Sequence, residues 1–400
     1  MKSLHTILID ELKYTLLRRK FHQIPEIGYK EFKTKSLILE TLQTFKNFES
    51  NAKIHEVGET GLFIDIYGLG APVDGLSREN LISIRSDMDA LPFREESNIE
   101  YKSTHDGMVH ACGHDGHIAI LLATLEYYLA NLEKVPENFG TRFLFQPAEE
   151  GLMGAVQMIE GGCLEKVSEI YGLHNITIFK VGEIGVIPGT IMAGIDIFGI
   201  TINGKGGHSS VPHLCCSPIN TGAQIVTAIN QIPSQEIDSK DRNSIGIGCF
   251  SSGNTFNVIP DKAVIKGTIR SVSDEIGAKI YNRIVEVSQA IGKMNKCHVE
   301  VVNEMSNYCT VNHDEPTKLV ERLAEKYFDK QTHNLPVMAS EDFSFYLKKV
   351  PGCFFMLGTQ DENHMEYPHT SKYDFNDLSI PIGVEMFIRI IEEKASIKLI

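Results

Sequence analysis

Three histidines, a cysteine and an aspartate crowd the ten residues Met108-Val109-His110-Ala111-Cys112-Gly113-His114-Asp115-Gly116-His117. Thiolate and imidazole at Cys112 and His114 can share a metal site, and the glycine between them lets backbone approach closely. Taken alone, a His-rich surface turn explains the stretch as well. A structural zinc knuckle would need cysteines at paired spacing, and the sequence has none. Further along, the apolar run Phe143-Leu144-Phe145 leads into Gln146-Pro147-Ala148-Glu149-Glu150-Gly151. Ligand sites of open α/β sheets lie beyond the carboxyl ends of strands, where this carboxylate pair falls. In extended chain, adjacent side chains point opposite ways, so one carboxylate can hold metal while the other faces substrate. A solvated acidic loop is the ordinary alternative. His174, in Ile170-Tyr171-Gly172-Leu173-His174-Asn175, is expected at another strand end, and His369 follows far away in Tyr367-Pro368-His369-Thr370-Ser371.

These groups need a scaffold to bring them together. Leu8, Leu12 and Leu16 at helical spacing, followed by Arg18, Arg19 and Lys20, predict an amphipathic first helix. A second helix is predicted over 30–45 and another over 114–132. Short apolar runs at 61–66, 81–84, 142–145 and 170–173 read as buried strands. Strands alternating with helices indicate an α/β layer architecture. From about Gly194 the pattern becomes strand, helix, two strands, helix, strand, which is the ferredoxin-like split motif. The expected organisation is a catalytic α/β domain over residues 1–192 and 305–400, with a ferredoxin-like α+β domain inserted over 193–304.

The insertion has candidate residues of its own, in Gly204-Lys205-Gly206-Gly207-His208-Ser209-Ser210, in Gly253-Asn254-Thr255-Phe256-Asn257-Val258-Ile259-Pro260-Asp261, and at Arg270. Arg270 falls on the strand face opposite Ile265 and Ile269. It fits either an exposed salt bridge or bidentate recognition of a substrate carboxylate.

Composition narrows the partners. Over 400 residues, 38 basic against 52 acidic groups give a net charge of -14, which disfavours nucleic acid and anionic membrane as main partners. No apolar run approaches the roughly 18 residues of a membrane span, and acidic residues interrupt the N-terminus too early for a signal peptide. Eight scattered cysteines without a CxxC pair fit reduced thiols in the cytoplasm.

In combination, HACGHDGH, FQPAEEG, GLHN, GKGGHSS, NVIPD and ASEDF make the sequence resemble the dinuclear metal amidohydrolases that include hippurate hydrolase, indole-acetyl-amino-acid hydrolases and N-acetyldiaminopimelate deacetylase. The resemblance runs from Phe21-His22-Gln23-Ile24-Pro25-Glu26-Ile27-Gly28 to His369. It implies Cys112, His114, Glu150, His174 and His369 as ligands of two divalent ions (zinc, manganese, cobalt or nickel), with Cys112 bridging. It implies Glu149 as general base and acid. It implies the insertion as a lid and dimerisation unit, His208 reaching a neighbouring subunit to stabilise the oxyanion, and Asn257 and Arg270 holding substrate. Arg85 stands where the wider metallopeptidase clan has a ligand histidine, so Asp87, like Asp115, is expected to orient ligands rather than bind metal.

The function implied is hydrolysis of an N-acyl (acetyl or benzoyl) L-amino acid to a carboxylate and a free amino acid. N-acetyldiaminopimelate deacetylation, or carboxypeptidase or dipeptidase activity on the same scaffold, is the alternative. A rival from another class uses Cys112 as a nucleophile, and would survive chelation.

Overall fold

Runs of β-branched and aromatic residues fill the strands, and helices cover them, so the α/β expectation is met. The computed structural model describes residues 6–70 and 80–400. Residues 1–5 of the stretch read for a leader lie outside the described residues. The chain divides into two compact units, one comprising Met1–Ile191, Val311–Leu335 and Phe345–Ile400, the other Met192–Thr310 and Pro336–Ser344.

In the first unit eight strands form one mixed sheet, ordered Ala52–Val57, Gly61–Tyr67, Gly140–Gln146, Leu81–Asp87, Glu169–Lys180, Gly352–Gln360, Glu183–Gly185 and Asp329–Gln331. Its centre is parallel: Leu81–Asp87 pairs in register with Gly140–Gln146 and with Glu169–Lys180, which in turn pairs with Gly352–Gln360. These strands are buried on both faces, as expected of parallel strands covered by helices. Helices His114–Ala130 and Ile380–Ala395 are buried nearly all round and lie in the main core with Ile120, Leu121, Phe143, Phe355, Phe387 and Ile391. The predicted second helix forms over Phe32–Gln43.

The first helix, Glu11–His22, departs from its predicted facing. Leu8, Leu12 and Leu16 are 89%, 68% and 50% exposed, while Tyr14, Leu17, Arg18, Phe21 and His22 are buried. The reason is charge pairing. Arg18 donates through Nε to Asp377 at 2.7 Å and through Nη1 to Asp374 at 3.0 Å, and His22 Nδ1 meets Asp115 Oδ2 at 2.8 Å. Leaving those carboxylates unpaired inside the protein would cost more than exposing leucines.

A second buried pair spans neighbouring strands of the sheet. Arg142 donates through Nε and Nη2 to the two oxygens of Asp65 at 2.6 and 2.8 Å, and through Nη1 to the carbonyls of Cys163 and Glu165. Asp65→Ala strands this guanidinium, and should destabilise the protein by about 3–5 kcal/mol. Urea unfolding measures it, and a loss below about 1 kcal/mol, the value of a surface pair, would show the pair to be dispensable.

The second unit carries a four-stranded antiparallel sheet ordered Asn243–Ser252, Lys262–Ser271, Gly194–Asn203 and His298–Asn307. With helices Pro218–Ile229 and Asp274–Met294 this is the ferredoxin-like arrangement. Ser217 caps the first of these helices, accepting from the Asn220 amide, with Pro218 at its first position. Phe198, Ile200, Ile202, Ile225, Ile265, Ile280 and Ile284 form its separate core. Residues 193–304 lie inside this unit. Pro336–Ser344, expected with residues 305–400, is grouped here as well: the Ala193 amide donates to the Val337 carbonyl at 2.9 Å, and Arg242 donates to the Pro336 carbonyl at 2.9 Å.

Candidate metal centre

Three parallel strands and one helix start deliver the candidate residues of the first unit apart from His369, which lies in the turn region after Gly352–Gln360. Leu81–Asp87 ends at Asp87, and Asp89 follows two residues on. Gly140–Gln146 leads to Glu149 and Glu150. Glu169–Lys180 carries His174, and Cys112 and His114 flank the N-cap of His114–Ala130. Gly113, at that cap, has φ 88°, and a Cβ there would lie 2.3 Å from Asn175 Oδ1 and 2.7 Å from the Tyr373 hydroxyl. Glycine is therefore required twice over, by backbone conformation and by space. His369, at φ 68°, is held by its amide, which donates to the Ala111 carbonyl at 2.7 Å.

All five candidate ligands come together. Ligand atoms of Cys112, His114 and His174 lie within 4.8 Å of one another, and so do those of Cys112, Glu150 and His369. The two groups share only the thiol. Its Sγ is 3.3 Å from His174 Nε2 and 3.3 Å from His369 Nε2. Glu150 Oε1 lies 3.2 Å from His369 Nε2, and Glu149 groups with His114 and Glu150.

The imidazoles are turned so that one nitrogen is left for a cation. His114 Nδ1 donates to the Asp89 carbonyl at 2.9 Å, and its buried Nε2 has no hydrogen-bond partner. His174 Nδ1 donates to the Asn175 carbonyl at 2.7 Å, directing Nε2 toward Cys112. Backbone carbonyls on the far nitrogen commonly fix the tautomer of metal-binding histidines. Glu150 Oε1 is buried against His369 Nε2 and stands in ligand range of Cys112. A buried imidazole nitrogen without a hydrogen bond, a shared thiol, and a carboxylate and further imidazoles at ligand distance fit one or more divalent cations.

Two sequence expectations need local correction. His174 sits in the middle of its strand, with Met356 as its register partner, because that strand runs on to Lys180. Glu149 and Glu150 are not extended. They open a short kinked turn in which Glu150 has φ -69° and ψ 71°, so the turn rather than strand alternation separates the two carboxylates.

Asp87 and Asp115 are buried beside the cluster. Asp87 accepts from His117 Nδ1 at 2.6 Å and from Arg85 Nη1 at 2.7 Å, and His117 Nε2 accepts the Asn175 amide at 3.1 Å. Burial opposes the Asp87 charge, yet His114, His117 and Arg85 hold its carboxyl well below the usual range. Both nitrogens of His117 are thus engaged, which leaves it a supporting group although it stands in ligand range. Asp115 binds His22 and lies 3.4 Å from Arg18, whose other partners Asp374 and Asp377 follow His369 in sequence. One guanidinium thereby ties down segments adjoining two candidate ligands. His110 is buried with neither ring nitrogen bonded, and burial pushes it down to about 3; it is in none of the ligand groups.

His208, Asn257 and Arg270 belong to the second unit. His208 is exposed, its Nδ1 bonded to Ser210, and the strand pair Val258–Ile259 with Gly207–His208 sets Asn257 next to it: the Ser209 amide donates to the Asn257 carbonyl. Arg270 is half-buried and donates to Thr268 at 3.2 Å.

Charge in the first unit's cluster favours a cation. Burial, reinforced by Glu150, Glu149 and Asp87, pushes the Cys112 thiol well above its usual range. Burial works against the His114 imidazolium, but Asp87 and Asp89 raise it to about 10; burial with His117 and His114 lowers His174 to about 3. A buried neutral thiol is a poor nucleophile, which weakens the rival thiol route. It also gives a sign. Without metal, Cys112 and His114 are protonated at neutral pH and must release protons to ligate, so affinity should rise with pH, about tenfold per unit for each proton displaced. Calorimetry in buffers of different ionisation enthalpy counts these protons. Metal uptake without proton release between pH 6 and 8 would refute the assignment of that pair.

With this candidate ligand cluster on this fold, the family match and the relatives below make the chain a metal-dependent amide hydrolase. The chain belongs to Peptidase family M20/M25/M40, whose profile matches residues 83–393. It is 37% identical over 378 residues to thermostable carboxypeptidase 2 of Saccharolobus solfataricus, covering 92% of this chain and 91% of that one. Hippurate hydrolase of Campylobacter jejuni is 32% identical over 382 residues, covering 94% and 95%. A Bacillus subtilis dinuclear metal-binding peptidase of the M20 family superposes with a TM-score of 0.80 at 27% identity, covering 97% and 99%.

Proposed function

We propose that the protein cleaves the amide bond of N-acyl (acetyl or benzoyl) L-amino acids, releasing a carboxylate and a free amino acid. The observation that carries this is the pair of ligand groups sharing Cys112, with the Glu149 carboxylate in range of His114 and Glu150. Cys112, His114 and His174 would hold one divalent cation, and Cys112, Glu150 and His369 a second. Zinc, manganese, cobalt and nickel all suit such mixed donors. When bound, the cations supply Lewis acidity and a water of lowered pKa.

The chain's own groups do the rest. Glu149 takes a proton from the attacking water at its carboxylate and returns it to the leaving nitrogen. Asp87 and Asp115 keep the surrounding imidazoles and loops oriented. On the second unit, His208 is proposed to stabilise the developing oxyanion, and Asn257 and Arg270 to hold the substrate carboxylate. That unit is also proposed to form a homodimer, supported by the strand Asn243–Ser252 at the edge of its sheet. A cytoplasmic setting is supported by eight free cysteines. Among the described residues no helix is long and apolar enough to cross a membrane.

Carboxypeptidase activity, favoured by the resemblance to the archaeal relative, uses the same machinery. The decisive experiment assays acetyl, benzoyl and peptidyl amino acids with added divalent metal, before and after chelation. Turnover of N-acyl amino acids that chelation abolishes and metal restores is expected. Preference for peptidyl substrates would move the reading to a carboxypeptidase, and turnover surviving complete metal removal would sink both.

A further inference from the structure

The turn that carries Glu149 and Glu150 is held in an unfavourable shape. Ala148, a residue with a Cβ, has φ 57° and ψ 41°; Gly151 has φ 77°, and Met153 has φ 57°. Left-handed backbone at non-glycine residues persists only where the surroundings over-determine it. Three consecutive amides of this turn are captured by buried carboxylates. Ala148 N–H donates to Glu31 Oε1 at 2.9 Å, Glu149 N–H to Asp89 Oδ1 at 3.0 Å, and Glu150 N–H to Asp89 Oδ2 at 2.9 Å. Glu31 and Asp89 are 0% and 1% exposed. Asp89 acts a second time through its own carbonyl, which accepts from His114 Nδ1.

We propose that Glu31 and Asp89 are positioning residues: a two-carboxylate clamp on three successive backbone amides fixes where Glu149 and Glu150 point. This rests on the hydrolase reading of the site. Asp89 is not a metal ligand in this assignment: among the described residues it belongs to none of the groups whose ligand atoms could share an ion. Hydrogen bonds from backbone amides to carboxyl oxygens are directional, so the clamp sets the turn's orientation as well as its stability. Glu31 reaches the turn from the start of the helix Phe32–Gln43 and Asp89 from beyond the strand Leu81–Asp87. The general base is thus referenced to two separate elements of the unit, and neither carboxylate touches the reacting atoms.

The two clamp residues differ in what a conservative change leaves behind. Glu31 gives the turn one acceptor, which the amide oxygen of Glu31→Gln still supplies. Asp89 gives two, and Asp89→Asn must turn an NH2 toward one of the donors. In metal-loaded protein, Glu31→Ala and Asp89→Asn should lower kcat by about 10–100-fold with KM within about threefold, while Glu31→Gln stays near the parent. Amide exchange across residues 147–153, followed by mass spectrometry, should quicken in Glu31→Ala and Asp89→Asn and not in Glu31→Gln.

Parent-like kcat and exchange in Glu31→Ala would overturn the clamp. So would a folded Glu31→Gln as slow as Glu31→Ala, since the acceptor alone would then not suffice. Should Glu31→Ala fail to fold, the contrast between Glu31→Gln and Asp89→Asn decides in the same way. If the parent protein turns over no N-acyl amino acid, the hydrolase reading fails by itself, and exchange across the turn still judges the clamp.

Discussion

Glu149→Gln should bind its full complement of divalent metal and turn over N-acyl amino acids about 10²–10⁴ times more slowly, the usual contribution of a general base. The side chain keeps its length and shape but can no longer accept a proton at neutral pH. The turn should stay in place, because its backbone amides, not the Glu149 side chain, bind Asp89 and Glu31. Elemental analysis and kcat must therefore be measured on the same preparation. A slow variant with full metal assigns proton transfer to Glu149. A slow variant that has also lost metal would make Glu149 a ligand, an outcome given weight by its grouping with His114 and Glu150. Parent-like turnover would remove Glu149 from the chemistry altogether.

The cluster was legible in the sequence because its residues are chemically unusual where they stand. A thiol and an imidazole separated by one glycine, or two carboxylates directly after an apolar strand, each fit a surface loop when taken alone; together with His174 and His369 in one chain they point to a shared site. The ferredoxin-like unit was legible from periodicity, since its strands and helices alternate apolar and polar faces in the regular way. What stayed hidden depends on pairs distant along the chain. Asp89 reads as one more acidic residue in Arg85-Ser86-Asp87-Met88-Asp89; its importance arises only when residues 148–150 and 114 arrive beside it. His117 looks like a ligand by type, and only the Asn175 amide on its second nitrogen marks it as a support. The facing of Glu11–His22 departs from its periodic pattern for the same reason. A hydrophobic pattern favours Leu12 and Leu16 inside, but Asp115, Asp374 and Asp377, far along the sequence, draw Arg18 and His22 inward instead. The kink at Glu150 left no periodic signal. The carboxylates of Glu31 and Asp89 that hold it give the only hint, and they become meaningful only in three dimensions.

Cys112→Ala tests the shared centre most severely. If one thiolate serves both cations, its loss should cut metal content at both positions and bring activity to background, whereas loss of a ligand to one cation alone should spare the other. His369→Ala provides that comparison, since His369 belongs only to the group with Cys112 and Glu150. The expected order is therefore two ions per chain in the parent, about one in His369→Ala and fewer than one in Cys112→Ala, by elemental analysis after desalting into metal-free buffer. Folding is not expected to account for the difference, because without metal Cys112 is a buried neutral thiol, and alanine replaces it with a smaller apolar group. Circular dichroism of the two metal-free variants checks this. Undiminished stoichiometry in Cys112→Ala would show that the thiol merely packs between His174 and His369, and the two ligand groups would then have to be held as independent sites or abandoned.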